Sequence, residues 1–195
     1  MSELNWTRHF LYLSLGILLL ACLAYSPIFG RIGDWFGYLF VAGAWHASAI
    51  VLALRQSDRR ALRLLFVVLV GLWSLLVPWV GLLLAGTLLP RDFPSGAALP
   101  IVFGLSSATG AASYWLLIRW WWLPSLSGGS IFWVVASCTL VSVLIAAAQP
   151  ALKGFGVPSD ISVHLLPSVL WWFAFSGALC LSQRIATRAC LLTGS

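Results

Sequence analysis

Two kinds of side chain in this sequence could do chemistry: the hydroxyls of "FGLSSATG", residues 103–110, and the imidazoles of His46 and His164. A serine attacks only when a hydrogen-bonded imidazole takes its proton, and the oxyanion that follows needs donors aimed at it. The same residues also have a structural use. Gly104, Ala108 and Ala112 recur every four positions, a stripe that lets helix backbones approach closely in lipid. Ser106 and Ser107 can bond back to carbonyls of their own helix, and a second G-x-S triplet, Gly128 to Ser130, shows that the pattern recurs. A neutral imidazole can serve as a hydrogen-bonding link between helices. Two histidines on different segments could ligate a haem at matching depth, but His46 falls near the middle of its segment and His164 near an end, so no cofactor is expected. Cys22, Cys138, Cys180 and Cys190 match no metal-ligand spacing and are expected as reduced thiols.

The elements that must position these groups follow from composition. Of 195 residues, 61% are hydrophobic and 8% charged, with a mean hydropathy of +0.99; such a chain belongs in a bilayer. A span needs roughly 20 apolar residues, and stretches near 10–29, 35–54, 62–89, 99–118, 131–148 and 161–183 qualify. None alternates apolar and polar residues as barrel strands do, so each reads as a helix. Pro78 should tilt or kink the long third one. The expected fold is a single all-α membrane domain, a bundle of six transmembrane helices. No Asp, Glu, Lys or Arg lies near the middle of a stretch, which argues against a proton-coupled pump, a voltage sensor or a carboxylate metal site.

Charge sets the orientation. Arg8, Arg55, Arg59, Arg60, Arg63, Arg119, Arg184 and Arg188 fall on one side, and Arg31, Arg91 and Lys153 on the other. The positive-inside rule then makes both termini cytoplasmic, in a multi-pass protein of the inner (plasma) membrane. Asp34, Asp92 and Asp160 lie near the basic residue of each outer loop. The net charge of +6 is spread over segment ends, which excludes a nucleic-acid surface. The twelve tryptophans cluster mostly near segment ends, as an interfacial belt would.

A G-x-S triplet opening the fourth stretch and a histidine opening the sixth resemble the rhomboid family of intramembrane serine proteases. The resemblance covers roughly residues 35–182 and rests on "GLSSA", "SVHLLPS" and "WHASAIVLAL". It implies Ser106 as nucleophile, His164 as general base and His46 as an oxyanion donor, with transmembrane protein segments as substrate. The family's asparagine after the second-helix histidine is Ile50 here, its glycine after the dyad histidine is Pro167, and its loop Trp-Arg pair is at best Trp35-Phe36. The resemblance therefore implies a divergent protease or a pseudoprotease. Composition alone equally suits a non-catalytic polytopic subunit of a larger complex or a transporter for a neutral or lipidic substrate. Membrane lipids are partners in each case.

Overall fold

The computed structural model describes residues 4–24, 35–54, 60–90, 93–124, 126–157 and 165–193. His164 and the aspartates Asp34, Asp92 and Asp160 lie outside the described residues. The described residues form six helices: α1 (Trp6–Ala24), α2 (Trp35–Ala53), α3 (Arg60–Leu88), α4 (Ser95–Trp121), α5 (Ser130–Gly154) and α6 (Leu166–Thr193). Three are long and apolar enough to cross a membrane, over residues 60–88, 98–121 and 130–154, and Trp6–Cys22 and Gly37–Ala53 are shorter apolar helical stretches.

Local chemistry explains the ends that differ from the expected ones. α1 begins at Trp6, not near Phe10, because Asn5 caps it. The Arg8 amide donates to Asn5 Oδ1 at 3.1 Å, and the His9 amide to the Asn5 carbonyl at 2.9 Å. α5 runs on through Pro150 and stops at Gly154. Beyond it Gly156 adopts φ +73°, and the Gly156 and Val157 amides donate to the Lys153 and Leu152 carbonyls. α3 stays helical through Pro78, whose missing N–H leaves the Ser74 carbonyl without its usual partner.

Helices adjacent in sequence pack side by side, and α1 also meets α6. At one end of the bundle the Asn5 amide donates to the Ala53 carbonyl at 3.0 Å and Trp6 Nε1 donates to Gln183 Oε1 at 3.2 Å. Phe66, near the start of α3, meets Trp121 and Trp122 at the end of α4. The outer surface is apolar: Leu18, Leu64, Leu83 and Phe132 are 64–71% exposed. Polar side chains are turned inward instead, the reverse of a soluble protein.

The tryptophans also have a role inside the bundle. Among the described residues five act as cross-helix donors. Trp73 Nε1 donates to Ser113 Oγ (2.6 Å), Trp115 to Ser130 (2.8 Å) and Trp171 to Ser107 (2.9 Å). Trp45 donates to the Tyr12 carbonyl (2.9 Å), with Trp6 on Gln183 the fifth. In hydrocarbon an indole N–H without a partner is costly, so each ring serves as packing volume and as a link at once. The serine of the second G-x-S triplet, Ser130, is thereby assigned to structure.

Small residues set the spacing. A Cβ on Gly104 would come within 3.0 Å of Val143 on α5, and one on Gly81 would collide with Ser106 Oγ and approach the Ser106 backbone nitrogen at 2.8 Å. Gly81→Ala should therefore force α3 and α4 apart and lower stability by about 1–3 kcal/mol. The check is the unfolding midpoint in detergent, where Ser106→Gly on the same background should recover only part of the loss.

Candidate functional site

The first turn of α1 and the inward stripes of α2 and α6 bring three polar side chains together. On α1, His9, Leu13, Gly16 and Leu20 share a helical face and are buried. On α6 the corresponding stripe is Trp172, Phe175, Ser176, Leu179 and Cys180. Where these faces meet α2, Ser176 Oγ lies 2.8 Å from His9 Nε2 and 3.3 Å from His46 Nε2. All three residues are at most 1% exposed. Placing such groups in an apolar interior is costly unless they satisfy one another.

Rings enclose the cluster. The His46 imidazole stacks on Trp172, with centroids 6.0 Å apart and planes at 13°, and meets Tyr114 and Phe175 edge-on at 5.0 and 5.4 Å. Trp171 and His9 complete its surroundings at 5.7 and 6.2 Å. The packing fixes the ring plane, and Ser176 fixes which nitrogen points into the cluster.

Beside His46 a cavity of about 340 Å³ opens between α2, α3, α4 and α6. Apolar side chains form most of its wall, with Ser74, Ser106, Ser107, Ser142 and Ser168 supplying hydroxyls and Trp73, Trp171 and Trp172 supplying rings. Ser74 Oγ is used in holding α3 to α2, donating to the Leu39 carbonyl at 2.6 Å. Ser107 Oγ accepts the Trp171 indole proton. Ser106 is half-buried in the same wall, its hydroxyl packed against Gly81.

Of the residues the sequence singles out, Ser106 and His46 both line this cavity. His46 Nε2 is directed to Ser176, and His164 lies outside the described residues. Pro167 and Ser168, shortly after His164 in the chain, also line the cavity. Sequence reasoning missed His9 and Ser176. His9 was legible through Asn5, a strong helix-capping residue, and through the stripe His9, Leu13, Gly16 and Leu20, which puts it inside α1 on the buried face. Ser176 carries no comparable signal, since its partners are 130 and 167 positions away.

Cys22, Cys138 and Cys180 are free thiols. Among the described residues no three His, Cys, Asp or Glu side chains gather as a metal site would need. No protein-family model matches the chain, and no curated protein or solved structure matches it either.

The buried hydroxyl gives a direct test of the cluster. Ser176→Ala leaves two imidazole nitrogens unpaired in the interior and should cost about 1–3 kcal/mol. Adding His9→Phe to Ser176→Ala should cost less than the sum of the two single changes, because the second removes a group the first has already stranded. Thermal unfolding of the four proteins in one detergent measures both quantities.

Proposed function

We propose that the chain is a six-span protein of the inner (plasma) membrane, both termini cytoplasmic, that takes a neutral lipophilic molecule into the cavity between α2, α3, α4 and α6. One observation carries this reading: a cavity of about 340 Å³ with hydroxyls and indoles in its wall and, among the described residues, no Asp, Glu, Lys or Arg lining it. A charged ligand would give up its hydration there and meet no opposite charge, whereas an apolar one gains by leaving water. The volume suits a small molecule. Orientation is supported by the packing, which gathers the starts of α1 and α3 with the ends of α2, α4 and α6. Arg8, Arg60, Arg63, Arg119 and Arg184 lie on those parts of the helices, the pattern of a cytoplasmic face.

Trp73, Trp171 and Trp172 in the wall make binding observable. In nanodiscs a small brominated hydrocarbon should quench tryptophan emission with a saturable component above the linear background from probe dissolved in lipid. Val102→Phe, which fills the cavity from α4, should abolish the saturable part while leaving the unfolding midpoint close to that of the unmodified protein. Linear quenching alone in both proteins rules the reading out.

A second reading rests on a different observation. Ser106 and His46 share the cavity with Pro167 and Ser168, which is where a rhomboid-like reaction, with Ser106 as nucleophile and His164 as base, would need its space. A fluorophosphonate probe separates the two readings. Labelling at Ser106 that disappears in Ser106→Ala supports a serine hydrolase acting on transmembrane segments. A folded protein that takes no label while still quenching saturably leaves the lipophile-binding reading alone.

A further inference from the structure

A serine hydroxyl has one proton to donate, and Ser176 stands between two Nε2 atoms. At most one of two neutral imidazoles can accept that proton, so at least one donates Nε2–H to Oγ, and where one accepts they are opposite tautomers. One accepts the hydroxyl proton at Nε2 and carries its own proton on Nδ1, and the other donates Nε2–H to Oγ. The contact lengths choose between them, since His9 Nδ1 is buried without a hydrogen-bond partner. The contact at His9 is 2.8 Å and that at His46 is 3.3 Å, the order expected when a hydroxyl donates to the first and a ring N–H to the second. The chain of donors therefore runs from His46 Nε2–H to Ser176 Oγ and from Ser176 O–H to His9 Nε2.

This order leaves His46 Nδ1 with a bare lone pair on a ring that lines the cavity. Tyr114, with its ring 5.0 Å away, does not fill that need, because its hydroxyl is buried without a partner. From these contacts we infer that the molecule taken up in the cavity carries a hydroxyl group, an alcohol or phenol on an otherwise apolar body, and that His46 Nδ1 accepts its proton as a hydrogen bond. His9 and Ser176 are positioning residues that hold His46 in the accepting tautomer. The inference rests on the lipophile-binding reading and adds to it a ligand class and a recognition atom.

The test uses the full chain in nanodiscs and two probes of nearly equal size, a brominated short-chain alkylphenol and its methyl ether. Saturable quenching should show the phenol binding about fivefold more tightly than the ether, the worth of one hydrogen bond, and His46→Phe should remove that preference. Nitrogen-15 spectra of labelled histidine, with the His46 signals identified by their loss in His46→Phe, should show His46 protonated at Nε2 and its Nδ1 signal moving when the phenol is added but not the ether. Equal saturable binding of phenol and ether overturns the hydroxyl preference and leaves the cavity as a plain lipophile site. A His46 protonated at Nδ1 before any probe is added overturns the tautomer assignment whatever the affinities. If neither probe quenches saturably, the cavity reading falls and this inference falls with it. The comparison of probes on the unmodified protein needs no variant to fold.

Discussion

Hydrocarbon offers no hydrogen bonds, so a polar side chain inside this bundle must find its partner on its own helix's main chain or on another helix, or leave a donor or acceptor stranded. The interior is organised by that constraint. Trp73, Trp115 and Trp171 place their N–H groups on serines of neighbouring helices, Trp45 and Ser74 reach main-chain carbonyls across a helix contact, and Trp6 reaches Gln183. Each link joins two particular helices at one height. Leucines cannot do this, because a Leu is as content against lipid as against another Leu. The His9–Ser176–His46 cluster is the most buried case and joins three helices, with α1, α2 and α6 each contributing one member.

The helical architecture was readable in the sequence because it depends on local properties: runs of apolar residues, their length and the charges between them. Two of the ends that were misplaced have reasons equally local, Asn5 drawing α1 back to Trp6 and the Gly156 turn closing α5 after Gly154. The site was readable in part. Ser106 and His46 do face one cavity, yet His9 looked like a residue outside the first helix, and Ser176 is an ordinary serine in an apolar run. Their meeting is a property of three-helix packing, and no periodicity within one helix encodes it. The tryptophans show the same limit. Clustering near segment ends suggested headgroup anchoring, whereas the atom that matters, Nε1, is aimed across a helix contact in five of them.

The scarcity of charged residues within the helices first argues against a proton-coupled pump. The packing alters the question by bringing two imidazoles within reach of one hydroxyl beside an apolar cavity. A ring whose Nε2 is held by Ser176 has a defined remaining nitrogen, so an ordinary neutral side chain becomes a directional group. Gly81 and Ser106 make a related point about the cavity wall. Close approach of α3 and α4 needs glycine on one side and a small hydroxyl residue on the other, and the same approach sets the wall against which a ligand would lie.

The sequence separation within the histidine cluster has a consequence for how the protein is made. His9 and His46 belong to the first two helices, whereas Ser176 follows them by 167 and 130 residues. During synthesis the N-terminal hairpin forms first, and Trp45 seated over Gly16 with its indole on Tyr12 can hold it together. Its two imidazoles must then wait until α6 has been made before the bridging hydroxyl arrives. A ribosome that stalls before the last helix leaves behind a nascent chain with unsatisfied polar groups in lipid, a chemical mark by which membrane quality control can tell an unfinished molecule from a completed one.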